Sequence, residues 1–347
     1  MYNGTMKIRS GIMIICLALI IPACNPSNTS VQPITVSATD WYTLYMTHPG
    51  EAGTGLAVES ALVDSIASAD HSIDLALYSF SLATIADALI QAESQGVDVR
   101  MVMEADNLDA YQVKRLLAAS IPIHADTTEG LMHDKFVVID DHEVWTGSMN
   151  LTITSAQEDA NNLVRIVSPE LAADYSVEFE VLYQDGLFGE QHIPQTPYPL
   201  LTIEASTLEV YFPPNDGASS RLVELINEAD DSVVFLASNF TSDPLSAALI
   251  RAHERGVTVS GLMDADNAVS DTGSDYQLMV EAGIPVVLDK DPGRMHHKVM
   301  IIDGVIVAFG SYNFTASAEK RNDENLLIIY DPELATRFLK EYQRLLE

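Results

Sequence analysis

Two histidine–lysine pairs are the residues of this chain whose types and spacing could do chemistry. His133 and Lys135 begin an apolar run, and His296 and Lys298 repeat the arrangement 163 positions later. Side chains two positions apart on a strand point to the same face, so each imidazole is expected beside an ammonium group. A neutral imidazole can attack phosphorus, a protonated one can give its proton to a leaving alcohol, and ammonium groups stabilise phosphate charge. The pairs therefore predict a phosphodiester site that needs neither a metal nor another cofactor.

Small polar side chains follow each pair at the same spacing. After a tight turn, Ser148 and Asn150 share one face of the returning strand, and Ser311 and Asn313 take these places in the second copy. We expect the two amides to stabilise the charge on the phosphate oxygens together with the lysines. The serines are expected either to bind the phosphate or to support the groups that do.

The elements that position these residues are themselves repeated. The stretch "SIDLALYSFSLATIADALIQAESQGVDVRMVMEADN", residues 72–107, resembles residues 232–267 at an offset of 160. β-Rich runs alternate with helical faces, which predicts an α/β fold with mixed sheets covered by helices. Two similar halves usually pack about a pseudo-twofold axis, which brings corresponding residues to one seam. We therefore expect a monomer whose two halves form a single active site.

The motifs resemble the signature of the phospholipase D superfamily. The spacing H-x-K-x4-D-x6-G-S-x-N is met by residues 133–150 and again by residues 296–313, and the resemblance extends over residues 53–347. It implies an αβα sandwich in each half and phosphodiester hydrolysis or transfer through a phospho-histidine. It also adds two aspartates at turns, for which bracing the hairpin is at least as good an interpretation as direct catalysis. The predicted catalytic set is His133, Lys135, Asp140, His296, Lys298 and Asp303.

The two copies differ at one position that matters to the family. A further acidic residue of the family orients a catalytic imidazole, and Glu324 stands at that distance in the second half, whereas the first half has Asn161. If the halves exchange these residues across the seam, Glu324 supports His133 as the nucleophile. Asn161 then backs His296, which acts as the acid. Glu158 is the alternative source of the missing carboxylate.

The N-terminus predicts export. A short basic region precedes the apolar run "GIMIICLALIIPA" and Cys24, and this run is too short for a comfortable membrane span. "IPAC" resembles a lipobox, in which the cysteine becomes the lipidated first residue; a plain signal peptide or an uncleaved anchor is the alternative. We expect residues 1–23 to be a lipoprotein-type signal peptide and residues 24–52 to be a tether. The mature chain would then be lipid-anchored to a membrane, or otherwise secreted or periplasmic.

The remaining boundaries follow from the repeats and from proline content. Residues 53–189 and 205–347 are expected to be the two phospholipase D-like repeats, joined by a Pro-containing linker at residues 190–204.

Charge bears on the substrate. The formal net charge of −32 repels polyanions, so a nucleic acid is a disfavoured partner. A phospholipid, particularly a zwitterionic one, fits better, and a lipid anchor would hold the enzyme at that substrate. A nuclease and a phosphatidyl transferase of the same superfamily are the alternatives. A scaffold without activity is less consistent with the sequence, because both histidines and both lysines are present.

Overall fold

The computed structural model of the chain describes residues 1–2, 41–51 and 53–347. The predicted lipidation residue Cys24, and all but the first two residues of the predicted signal peptide, lie outside the described residues. In the part of the chain that is described, no helix has the length and apolar character needed to cross a bilayer.

The first half is built from apolar strands that alternate with helices. Its elements are β1 (Tyr42–Thr47), α1 (Thr54–Ala67), β2 (Ser72–Leu77), α2 (Ala83–Ser94), β3 (Asp98–Glu104), α3 (Tyr111–Ala118), β4 (Ile123–Asp126), β5 (Lys135–Ile139), β6 (Glu143–Gly147), α4 (Ile153–Gln157), β7 (Asn161–Val167) and α5 (Pro169–Tyr183). The sheet order is β1-β7-β6-β5-β2-β3-β4. Strands β2, β3 and β4 run parallel, and the other neighbours are antiparallel. The sheet is therefore mixed.

The second half repeats this order with additions. Its elements are β8 (Leu200–Ile203), β9 (Ser206–Tyr211), α6 (Ala218–Glu228), β10 (Ser232–Ala237), β11 (Phe240–Thr241), α7 (Asp243–Glu254), β12 (Thr258–Met263), α8 (Ala265–Ser270), α9 (Tyr276–Glu281), β13 (Val286–Leu288), β14 (Lys298–Ile302), β15 (Ile306–Gly310), β16 (Phe314–Thr315), α10 (Ala316–Lys320), β17 (Leu326–Tyr330) and α11 (Pro332–Leu346). The large sheet has the order β13-β12-β10-β14-β15-β17-β9-β8, and β11 pairs with β16. Strand β8 is an addition at its edge.

Each large sheet is buried on both faces. One face of each sheet packs against helices of the same half. The opposite faces of the two sheets contribute to a single apolar core shared by both halves, which also contains residues of α5 and α11. The ring of Tyr175 joins the halves there, because its centroid lies 5.0 Å from those of both Phe136 and Phe212. Removing such rings from water is a main favourable term in folding. The predicted α/β class, with mixed sheets covered by helices in two similar halves, is confirmed.

The folded body begins before the predicted boundary at residue 53. Strand β1 pairs with β7 along its whole length, from Tyr42 opposite Ile166 to Thr47 opposite Asn161. The end of the predicted tether, 24–52, thus belongs to the first sheet. Its short β-rich run "YTLYMT" follows a polar segment, and the strand signal in the sequence is therefore not clear there. The predicted linker, 190–204, is corrected in the same way, since its last residues form β8 and pair with β9.

The halves exchange backbone contacts at the seam. His133 N donates to Asp323 O, and His296 N donates to Ala160 O, each at 2.9 Å. Each contact belongs to an isolated parallel bridge between the halves. The backbone before each histidine is therefore held by the opposite half.

Candidate active site

Both histidine–lysine pairs lie at the start of equivalent strands. Lys135 begins β5 and Lys298 begins β14, and their side chains are buried. The Nζ of Lys135 donates to the backbone oxygen of His133 at 2.6 Å, and Lys298 Nζ donates to that of His296 at 2.8 Å. Each ammonium group is thereby fixed beside the imidazole of its own motif.

The side chains behind the imidazoles come from the opposite half. Glu324 Oε2 lies 2.8 Å from His133 Nδ1, and Asn161 Oδ1 lies 2.8 Å from His296 Nδ1. Asn161 Nδ2 donates to Ser155 O at 3.1 Å, so its oxygen is the atom that faces the ring. Nδ1 of His296 must then carry a hydrogen, which leaves Nε2 for proton transfer. These are the contacts that the exchange of partners requires.

The alternative carboxylate does not take this place. Glu158 is an exposed residue at the end of α4, and His296 Nδ1 contacts Asn161 Oδ1 and Ser148 O.

The buried charges act on one another across the seam. Burial, followed by the charges of Lys135 and Lys298, lowers the pKa of His133 well below its ordinary value, and the same influences lower the pKa of His296. Burial also lowers the pKa of Lys135 to about 8 and raises that of Glu324 to about 7. Since both lysines affect both imidazoles, the two motifs form one electropositive site. Without a bound anion, this site favours the neutral form of both imidazoles.

The motif serines support the site from behind. Ser311 Oγ donates to Glu324 at 2.6 Å, and Ser148 Oγ donates to Asn161 at 3.0 Å. Both serines are fully buried and also accept the backbone N–H of the residue after their partner. Of the two expected roles, the structure favours support over phosphate binding.

The motif asparagines are the polar groups that stay available. Asn150 and Asn313 are half-buried, and in residues 41–51 and 53–347 the Oδ1 of each has no hydrogen-bond partner. Each amide also carries Nδ2 donors, which are the groups expected to contact a bound phosphate.

The motif glycines allow a close backbone approach. A Cβ on Gly147 would lie 2.4 Å from Asn162 O, and one on Gly310 would lie 2.2 Å from Asn325 O. Both glycines have φ values, 158° and 156°, that other residues rarely adopt. Glycine thus brings each serine against the residue that it supports.

The motif aspartates do not belong to the catalytic set, and this corrects their predicted place in it. Asp140 accepts the backbone N–H groups of Asp70, His71 and Ser72 at 2.7–2.9 Å, beyond the far end of β5. Asp303 does the same at the end of β14, with distances of 2.8–3.0 Å. Although partial burial opposes it, these donors lower the pKa of both carboxyl groups. The aspartates brace the hairpins.

Sequence reasoning missed Tyr78. Its ring centroid lies 5.1 Å from that of His133 in an edge-on arrangement, and Lys135 Nζ lies 5.5 Å from the same ring. The ring is half-buried at the end of β2, and Asn107 fixes its backbone by donating to Tyr78 O at 2.8 Å. The corresponding residue of the second half is Ser238. This difference between otherwise similar segments was the available signal.

Comparisons with known proteins identify the family of this chain. The family described as "Cardiolipin synthase, PLD-like domain" matches residues 62–183 and 222–346, once in each half and over more than half of the chain. A protein named phospholipase D from Rickettsia bellii is 36% identical over 166 residues, which are 46% of this chain and 82% of that protein. The human mitochondrial cardiolipin hydrolase is 38% identical over 135 residues, 39% of this chain and 53% of that protein.

A solved structure agrees in fold over both halves. The phosphatidylserine synthase of Haemophilus influenzae Rd KW20 superposes with a TM-score of 0.66 and covers 87% of this chain and 86% of its own. The sequence identity is 14%, so the likeness concerns the fold alone.

Proposed function

The chain belongs to the phospholipase D superfamily and is a phospholipase D-like phosphodiesterase, and from this premise we propose that it hydrolyses the head-group ester of phospholipids, releasing phosphatidic acid and an alcohol. The observation that carries the proposal is the site in which buried His133 contacts Glu324 and half-buried His296 contacts Asn161, each through Nδ1. The names of the similar proteins, phospholipase D and cardiolipin hydrolase, support a lipid substrate.

The first step of the proposed reaction is attack by His133. With Nδ1–H donated to Glu324, its Nε2 has a lone pair that forms the P–N bond while the P–O bond to the alcohol breaks. His296, protonated once the phosphate anion offsets the charge of the lysines, gives its Nε2 proton to the departing alkoxide. The products are a phosphatidyl-histidine and a free alcohol.

The second step returns the enzyme to its first state. Neutral His296 removes a proton from water, the oxygen of water attacks phosphorus, and the P–N bond to His133 breaks. Lys135 and Lys298, with the two motif amides, stabilise the charge on the phosphate oxygens in both steps. The proposed chemistry is metal-independent, because buried ammonium groups supply the charge that a metal ion supplies in other phosphodiesterases.

The proposed setting is a membrane surface. Lipidation at Cys24 would keep the site within reach of its substrate, and the net charge of −32 favours a zwitterionic lipid over an anionic polymer.

The test is a parallel assay with lipid and nucleic-acid substrates. The purified full-length chain is given vesicles of phosphatidylcholine or phosphatidylethanolamine, and also single- and double-stranded DNA, with and without a chelator. We expect chelator-resistant release of choline or ethanolamine, its loss in His133→Ala, and its retention in His142→Ala, which alters an exposed histidine outside the site. DNA cleavage without alcohol release would reject the lipid substrate in favour of a nuclease.

A further inference from the structure

A cavity of about 510 Å³ lies between β1 and α1 of the first half and α11 of the second. We propose that this cavity binds one single-chain amphiphile with an anionic head, namely a fatty acid or a lysophosphatidate. The residues that carry the proposal are Leu44, Met46, Val58, Arg337, Lys340 and Arg344.

The floor of the cavity suits an acyl chain. Leu44 and Val58 are buried apolar residues that line it, and Met46 and Ala57 add half-buried apolar surface. The volume falls in the range of pockets that enclose small ligands, roughly 300–1,000 Å³. A flexible methionine in such a wall can adapt to a chain.

The rim of the cavity suits an anion. Arg337, Lys340 and Arg344 are spaced so that they share one face of α11. The equivalent positions of α5, 163 residues earlier, are Asp174, Val177 and Val181. The cationic face is therefore particular to the second half, in a chain whose net charge is strongly negative.

The three cationic residues of this rim differ in how far their donors are already used. Arg344 makes two 2.9 Å contacts with Glu341, and Arg337 pairs with Glu333. Yet Nη1 of Arg337, in a residue only 8% exposed, has no hydrogen-bond partner in the described part of the chain. Lys340 is exposed, and within residues 41–51 and 53–347 it has no ion pair. A buried donor without a partner is unfavourable, and an anionic head group would satisfy it once the guanidinium turns toward the cavity.

The wall of the cavity is also linked by contacts to the residue that follows His296. Glu341 lies 3.1 Å from His48 and 3.4 Å from His297, which points away from the catalytic seam as expected for the neighbour of His296. The Nδ1 of His297 lies 2.9 Å from Asn162 Nδ2. A ligand that draws Arg344 from Glu341 should therefore alter the surroundings of His297.

The experiment measures binding directly, with the full-length His133→Ala chain so that no turnover interferes. Palmitate and a lysophosphatidate are titrated below their micelle concentrations by calorimetry, and lysophosphatidylcholine and inorganic phosphate are the comparison ligands. We expect one site per chain for the two anionic amphiphiles and at least tenfold weaker binding of both comparison ligands. The imidazole NMR signals of His297 should shift on binding.

Two variants test the contacts of the head group and of the acyl chain separately. Lys340→Glu should weaken binding about tenfold, because it replaces attraction with repulsion at the head. Ala57→Trp should block the chain by filling the floor. Lys114→Glu, the same charge change at an exposed site on α3, should leave affinity unchanged.

The outcomes decide the proposal. Melting temperatures of all variants within about 3 °C of the parent establish that each is folded. No binding of either anionic amphiphile, or equal binding of lysophosphatidylcholine, would overturn the proposal, as would unchanged affinity in both Lys340→Glu and Ala57→Trp. Preference for palmitate or for lysophosphatidate identifies the head group. None of these measurements depends on hydrolytic activity.

Discussion

Glu324 Oε2 lies 2.8 Å from Nδ1 of His133, although 191 positions separate the two residues. Asn161 stands in the matching position beside His296. The two halves are thus alike in backbone and unlike in the charge behind each imidazole. A carboxylate stabilises the positive charge that an imidazole gains on forming a bond to phosphorus, whereas an amide does so weakly. This asymmetry favours His133 as the nucleophile, which remains a hypothesis.

The covalent intermediate tests this hypothesis. Rapid quenching of the chain with a substrate labelled on phosphorus should leave the label on a peptide that contains His133. His296→Asn should lengthen the life of this adduct, because hydrolysis of the P–N bond loses its general base. Mass spectrometry of the digested protein locates the label. Label on the peptide of His296 in the parent chain would reverse the assignment.

A second prediction concerns pH. Activity that needs protonated His296 falls as pH rises through its pKa, which burial, Lys298 and Lys135 hold low. Asn161→Asp gives His296 a carboxylate partner, which stabilises the protonated form and raises that pKa. We expect the alkaline limb of the kcat–pH profile to move up by about 1–2 pH units. The control is Asn161→Ser, which adds no charge and should not move the limb upward; a profile unchanged in Asn161→Asp contradicts the role of His296 as acid.

Tyr78 is predicted to position the imidazole of His133 through its ring. Tyr78→Phe should retain kcat, whereas Tyr78→Ser, which copies Ser238 of the other half, should lower kcat roughly 10–100-fold with little change in KM, because a misplaced nucleophile attacks poorly. Steady-state kinetics on lipid vesicles measure both constants. An equal loss in the two variants would point to the hydroxyl group instead.

Asp140 and Asp303 are predicted to affect stability and not turnover. Asp140→Asn should lower the free energy of unfolding by about 1 kcal/mol at pH 7, since it weakens contacts with backbone N–H groups. The pKa of this carboxyl is lowered in the folded protein, so its contribution is present above the pKa of the unfolded chain and is lost as pH falls through the folded value. The difference between parent and variant should accordingly vanish in acid.

Urea unfolding at pH 7 and at a series of acidic pH values measures this difference, with kcat determined in parallel. Asp303→Asn is the matched variant in the second half. A large fall in kcat for either variant, at unchanged stability, would restore the aspartates to the catalytic set.

The site residues that could be predicted from the sequence are those that regular spacing identifies. Spacing placed each histidine–lysine pair at the start of a strand, although β5 begins at Lys135 and His133 lies just before it, and repetition of the motif implied that the halves meet. The difference between Glu324 and Asn161 could be read for the same reason, because equal spacing made the two positions comparable. The α/β class followed from the alternating periods.

Other features depend on contacts that no local pattern encodes. Tyr78 reaches His133 only because the end of β2 approaches the start of β5, and the choice of serines for support depends on where Glu324 and Asn161 point. The start of the folded body was misplaced because β1 is short and follows a polar segment. A six-residue strand gives little periodicity, and its pairing with β7 is what identifies it.

The backbone exchange at the seam has a consequence for the order of folding. His133 is held by Asp323, and His296 by Ala160, so each reactive ring depends on a loop closure of more than a hundred residues. Closing such long loops has a high entropic cost, so these contacts are expected to form late, after local strands and helices. The nascent chain therefore carries no assembled nucleophile, and its reactivity toward phosphodiesters should appear only when both halves have docked. Assembly of the active site is thus expected to be one of the last steps of folding.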